Sequence, residues 1–237
     1  MPEPLLSLEN VHTHLGRHHI LQGVSLSVAA GRPTVLLGRN GAGKTTTLRT
    51  IMGLSPPSSG RLRLDGRDIA GLRPYKIARL GLGYVPEEQA VFYHLTVEEN
   101  FRLAMLDESD VTRERLDRVL ELFPDLKKFW RSKAGVLSGG QKQMLAIGRV
   151  FANDHRLLIV DEPSKGLAPI IVDHLIEALN RMKDHTTIIL VEQNFYMASR
   201  LGQDYFILDD GRVARQGLMA DLVEDHDLKK KYLGIGK

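Results

Sequence analysis

The 237-residue chain has no cysteine. A disulfide framework and any thiolate metal or redox centre are therefore excluded, and a reducing compartment is compatible with the composition. Excess charge is equally scarce. The formal net charge is +3, and the one cationic run is Lys229-Lys230-Lys231, expected as a solvated helix face. Without a dense Lys/Arg block, a nucleic-acid partner is not expected. No apolar run approaches the roughly 20 residues that span a bilayer. The opening "MPEPLLSLENV" lacks the basic and apolar regions of a secretory signal, so none is expected there. Internal repeats and low-complexity linkers are missing too. The chain reads as soluble or peripheral, and its length suits one large domain or two small ones.

What is present is an alternation of apolar runs and helical patterns, the mark of an α/β protein. Strands are expected at Leu5–Val11, Leu21–Val28, Pro33–Leu37, Arg61–Leu64, Leu157–Val160 and Thr187–Val191. A further strand pair, Tyr205–Leu208 and Arg212–Ala214, flanks "DDG". Helices are expected at Lys44–Met52, Thr96–Leu106, Thr112–Leu122, from Ser138, at Pro169–Lys183, from about Asn194, and at Asp227–Leu233. The charged, amphipathic stretch 88–135 reads as a helical subdomain inserted into a sheet domain formed by 1–87 and 136–237.

Three motifs carry chemistry. "GRNGAGKT", Gly38 to Thr45, fits G-x-x-x-x-G-K-[ST] between an expected strand and an expected helix. Backbone N–H groups of Gly38, Arg39, Asn40, Gly41, Ala42 and Gly43 can wrap phosphates at a helix N-terminus. Lys44 can reach the β- and γ-phosphates, the Thr45 hydroxyl can hold Mg²⁺, and Thr46 follows in the same turn. "LLIVDEP" ends an apolar strand in two carboxylates: Asp161 suits Mg²⁺, and Glu162 suits polarisation of an attacking water. "LSGGQKQMLAIGR" places Ser138 as an N-cap, with Gly139, Gly140 and Gln141 opening a helix. That is a second anion site, which one nucleotide does not need; it is expected to serve a nucleotide held by another subunit.

"GRNGAGKTT", "LSGGQ" and "LLIVDEP" in this order resemble the nucleotide-binding subunit of an ATP-binding-cassette transporter, from Leu5 to about Gly234. "SSGRLRLDG" at 58–66 fits as well. The resemblance implies a P-loop NTPase core with a mostly parallel sheet, an N-terminal antiparallel β-subdomain and an inserted helical subdomain. It implies ATP and Mg²⁺ as ligands. It also implies two cassettes facing head to tail, with Ser138, Gly139, Gly140 and Gln141 closing on the partner's ATP.

Four positions depart from the family's common pattern. Glu87 stands where a glutamine usually senses Mg²⁺, and Ala168 where an aspartate is usual. Gln193 replaces the switch histidine. Leu15 replaces the aromatic that stacks on adenine, with His14, His18 or His19 as the alternative stacking groups. "VPEEQAVFYHLTVEEN", "DEPSKGLAPIIV" and "LVEQN" resemble the second ATPase subunit of branched-chain amino acid importers. That branch implies a second cassette ATPase (heterodimer or homodimer), two transmembrane permease subunits and, indirectly, a periplasmic or extracellular solute-binding protein. The expected location is peripheral, on the cytoplasmic face of a bacterial or archaeal membrane. Importers of urea or amides and exporters of lipid or lipopolysaccharide remain alternatives. A soluble cassette ATPase fits less well, because the chain has one cassette and a short insert.

Three local questions stay open at this stage. Gln193 could donate to the γ-phosphate or cap the next helix. Phe92, Tyr93 and Leu95 could meet a permease or close a core. His12, His14, His18 and His19 could bind metal or be a surface feature.

Overall fold

The computed structural model describes residues 3–88, 90–107 and 109–234. The first two strands, β1 (Leu6–Leu15) and β2 (His18–Val28), form an antiparallel hairpin closed at Gly16-Arg17. Both run further than their apolar alternation suggests. His14 pairs with His19 and Leu15 with His18, so the ladder continues after the hydrophobic signal has stopped. His12 and His14 each stack on His19 there. Among the described residues no group of three or more histidines and acids is placed to hold a metal ion, and the four histidines of this hairpin form none.

β3 (Thr34–Leu37) leads through the glycine-rich loop into α1 (Lys44–Ile51). β4 (Ser59–Leu64) and the short β5 (Arg67–Asp68) complete a four-stranded antiparallel sheet in the order β2-β1-β4-β5. Its alternating Leu6, Leu8, Val24, Leu26, Leu62 and Leu64 are buried in one cluster with Leu48 and Ile51 of α1. The Thr13 and Thr50 hydroxyls, 3.0 Å apart, satisfy each other inside that contact.

After α2 (Pro74–Arg79), β6 (Leu82–Val85) enters the larger sheet; neither element stands out in the hydrophobic pattern. The remaining strands are β7 (Leu157–Asp161), β8 (Thr187–Val191), β9 (Asp204–Asp209) and β10 (Arg212–Leu218), giving the order β10-β9-β3-β8-β7-β6. β6, β7, β8, β3 and β9 are parallel, and β10 is antiparallel. Every residue of β3, β7 and β8 is buried, as expected of strands covered on both faces. Successive side chains go to opposite sides. Leu36, Ile159 and Ile189 join the cluster of α1 and the antiparallel sheet, whereas Val35, Val160 and Leu190 join the cluster on the other face.

That second cluster includes α6 (Gly139–Phe151), α7 (Pro169–Met182) and α8 (Phe195–Leu201), which follow α3 (Val97–Ala104), α4 (Asp110–Leu122) and α5 (Pro124–Lys128) along the chain. α3, α4 and α5 pack on α6 through Phe101, Val119, Phe123 and Leu126. Trp130 stacks on Phe101 at 5.5 Å between centroids. Phe92 and Tyr93 are exposed, each beneath a cation, Arg149 and Lys142. α9 (Met219–Glu224) and a last helical segment, 226–233, close the described chain. Lys229 is not part of a solvated face. It is buried, its ammonium donating to the Val223 carbonyl and lying over Phe195, because a lysine stem packs well while its tip finds an acceptor.

Candidate functional site

Four loops meet at the carboxyl ends of β3, β6, β7 and β8, where an open parallel sheet binds ligands. The loop after β3 begins at Gly38, φ +146°; a Cβ there would stand 2.3 Å from the Leu208 carbonyl, so only glycine lets the chain turn against β9. The loop ends in Gly43 as N-cap of α1, whose first N–H groups remain available to an anion. Lys44 is buried. Its Nζ donates to the carbonyls of Gly38 (2.9 Å) and Arg39 (3.2 Å) and lies 3.5 Å from Glu162 Oε1.

Glu162, one residue beyond β7, sits at φ +43°, a left-handed conformation that costs a non-glycine residue roughly 1 kcal/mol or more. Its N–H donates to Val191 O at the end of β8, which holds the strained turn. The Gln193 amide donates from Nε2 to Glu162 Oε1 (2.7 Å) and to Asn40 Oδ1 (2.5 Å). One side chain after β8 thus joins the loop after β3 to the carboxylate after β7. Gln193 does not cap α8: Asn194 does, accepting from Met197 N–H. Glu192 turns the other way. It is buried, and its carboxylate accepts from the N–H groups of Ser164, Gln193 and Asn194 at 2.9–3.0 Å. Burial raises its pKa against those bonds. Its work is to brace the two loops.

These elements enclose a cavity of about 270 Å³ lined by Asn40, Gly41, Gly43, Lys44, Thr45, Thr46, Glu87, Glu162, Lys165 and Ile20. Sequence reasoning missed two of these, Lys165 and, on β2, Ile20. The β9–β10 turn, Asp210-Gly211, presses against it: a Cβ on Gly211 would stand 2.0 Å from Ile20 O, and Gly211 O accepts from Gln22 N–H. Leu15, beside the hairpin turn, is 42% exposed and does not line this cavity.

An adjoining groove of about 510 Å³ shares Thr45 and Glu87 and adds Asp161, Tyr84 and Tyr93. Asp161 is fully buried. Tyr84 O–H donates to its Oδ2 at 3.4 Å, and its Oδ1 has no hydrogen-bond partner among the described residues. Burial, aided by the Glu162 charge, pushes its pKa up to about 6. A buried carboxylate oxygen with no donor, beside a threonine hydroxyl, fits a hard divalent cation such as Mg²⁺. The raised pKa sets a sign. The protonated acid is favoured below about pH 6, so cation binding there must expel a proton. We expect MgATP binding at pH 5.5 to release well over half a proton from this site in wild type and less in Asp161→Asn. Calorimetry in buffers of different ionisation enthalpy measures this, and equal release by the two proteins would show that Asp161 is not the group. Glu87 accepts an ion pair from Lys165, whose own pKa is raised by that bond.

Ser138 caps α6 in a reciprocal box: its hydroxyl accepts from Gln141 N–H (3.3 Å) and Gln141 Oε1 accepts from Ser138 N–H (2.9 Å). Gln141 Nε2 also donates to Asp125 on α5, which fixes α6 against the inserted helices. Ser138, Gly139, Gly140 and Gln141 do not line the cavity at Lys44.

The sequence pattern of the family described as ABC transporter matches residues 21–165, more than half of the chain. The chain is 39% identical over 232 residues to the high-affinity branched-chain amino acid transport ATP-binding protein BraG of Pseudomonas aeruginosa, covering 97% of this chain and 100% of that one. It is 37% identical to the probable branched-chain amino acid transport ATP-binding protein LivF of Archaeoglobus fulgidus, covering 92% and 93%. The lipopolysaccharide export system ATP-binding protein LptB of Escherichia coli is 29% identical, covering 97% of each. Among solved structures, a dimeric post-hydrolysis ATP-binding cassette bound to ADP and Pi superposes with a TM-score of 0.77 at 25% identity, covering 90% of this chain and 98% of that one. The chain belongs to the ABC transporter family, and it is an ATP-binding, ATP-hydrolysing subunit of that family. None of its described helices is long and apolar enough to cross a membrane.

Proposed function

We propose that this chain powers uptake of branched-chain or related amino acids, from the cytoplasmic face of a bacterial or archaeal membrane. Its partners would be a second ATP-binding subunit and two permease subunits supplied by a solute-binding protein. Full-length likeness to BraG and LivF supports the solute class, since LptB is the more distant relative. The observation that carries hydrolysis is Glu162, held between Lys44 and Gln193 at the mouth of the phosphate-binding loop.

In this reading the 38–46 loop and the α1 N-terminus bind the phosphates of ATP, with Lys44 as the principal cation. Thr45, Asp161 and Glu87 would hold Mg²⁺, which neutralises charge on the β- and γ-phosphates. Glu162 accepts the proton of the attacking water. Gln193 orients that carboxylate and offers an N–H to the γ-phosphate without changing its own charge. Ser138, Gly139, Gly140 and Gln141 close on the partner's nucleotide, and the helices of 88–135, with the groove at Tyr93, receive the permease. Binding energy spent at the interface between subunits becomes a change in their arrangement.

The test is affinity purification of tagged Glu162→Gln from native membranes in MgATP. Two multi-span proteins and a second cassette ATPase are expected to co-purify, and their solute-binding partner is then titrated with leucine, isoleucine, valine and urea. Recovery of the chain alone, or with ribosomes, would overturn the transport assignment.

A further inference from the structure

Four charged side chains line the cavity at the phosphate-binding loop: the carboxylates of Glu87 and Glu162 and the ammonium groups of Lys44 and Lys165. The lining is therefore balanced, two against two. Each acid has its own cation. Lys44 lies 3.5 Å from Glu162 in a buried contact, and Lys165 is ion-paired to Glu87 at the exposed rim. Among the described residues, Lys165 is the only group that donates a hydrogen bond to the Glu87 carboxylate. The lysine is also placed from its own backbone. Its N–H donates to the Glu162 carbonyl at 3.2 Å, closing a turn directly on the strained residue. Lys165 and Glu87 come from the loops after β7 and β6, two neighbouring parallel strands, so the pair ties those loops together across the mouth of the site.

A polyphosphate entering such a cavity meets a carboxylate at the rim. Without a counter-charge the lining would carry one net negative charge, and like charges at short range repel even in a wet site. We propose that Lys165 is a positioning residue for the nucleotide. Its ammonium cancels the charge of Glu87 and fixes that carboxylate at the rim, so that the phosphates of ATP are admitted past an acid. Lys165 acts through Glu87 and not by contact with the phosphates. The inference rests on the reading that this cavity takes ATP.

The measurement is equilibrium binding of ATP to the purified full chain, first in EDTA and then with Mg²⁺, for wild type, Lys165→Met, Lys165→Arg, Glu87→Gln and the Lys165→Met/Glu87→Gln double variant. In EDTA at low ionic strength, Lys165→Met is expected to weaken ATP binding roughly threefold to tenfold, and the loss should shrink as salt is added. Measured against Glu87→Gln alone, the double variant should lose less than about twofold, because the acid that needed a counter-charge is gone. Lys165→Arg keeps the charge and should stay near wild type. Methionine matches the lysine stem at an exposed position, and the decisive comparison is between two proteins that both lack the lysine. The same loss in both backgrounds would overturn the proposal, showing that Lys165 touches the nucleotide or acts through the fold. No loss in either would overturn it as well. Failure of wild type to bind ATP at all would instead refute the assignment of the cavity.

Discussion

Glu162→Gln is expected to keep MgATP and lose turnover. kcat should fall about 10²- to 10³-fold while nucleotide affinity stays within about threefold, because a positioned general base contributes on that scale and an amide cannot accept the proton. The geometry favours a clean substitution. Glu162 Oε1 already receives the Gln193 N–H, and a glutamine oxygen can receive the same bond, so the link from β7 to β8 is retained. The φ of +43° is a backbone property, held by the N–H bond to Val191, and the side-chain change does not disturb it. Steady-state ATPase rates, together with titration of a fluorescent nucleotide, separate the two effects. Size-exclusion chromatography in MgATP should show the variant accumulating as a dimer with the second ATP-binding subunit proposed above. A turnover within tenfold of wild type would assign the base elsewhere.

Lys44→Ala has the other large effect, and on a different quantity. Loss of the cation proposed to face the phosphates should weaken ATP binding about 10²-fold or more, since charge-assisted hydrogen bonds contribute roughly 1.5–3 kcal/mol each and Lys44 can make more than one. A second cost falls on the protein itself. The Gly38 and Arg39 carbonyls lose their donor, and the Glu162 carboxylate loses its buried counter-charge. Stability should drop by about 1–3 kcal/mol, the usual penalty for stranding buried polar groups. Denaturant titration reads the second effect, and calorimetric ATP binding reads the first. ATP affinity within threefold of wild type would sink the role given to Lys44.

The motifs that could be read from the sequence are those whose chemistry is contiguous. Gly38 to Thr46 specifies a strand, a turn needing glycine and a helix start within a few residues, and local geometry does the rest. Asp161 and Glu162 belong to one strand end, and Ser138 with Gln141 forms a cap whose two bonds span three residues. Groups that meet from distant loops gave no such signal. Lys165 and Glu87 are 78 residues apart, and neither spacing nor periodicity joins them. "VEQN" sets three polar residues directly after a buried strand. The tertiary structure divides them: Glu192 turns to the backbone of Ser164, Gln193 to Glu162 and Asn40, and Asn194 to its own helix.

The sequence by itself determined the α/β class, the positions of most strands and the residue types at the phosphate-binding loop. Those follow from periodicity, from turn chemistry and from the few residues that tolerate positive φ, all of them local properties. Only the tertiary structure decided that β1 and β2 stay paired through four histidines, that Ile20 and not Leu15 lines the cavity, and that Lys229 is buried. Each of these depends on which strand lies beside which. β3 is flanked by β9 and β8, and the β9–β10 turn pushes Gly211 against Ile20. Strand order is settled by how two hydrophobic faces close on one sheet, a sum over distant residues that no short stretch of chain records.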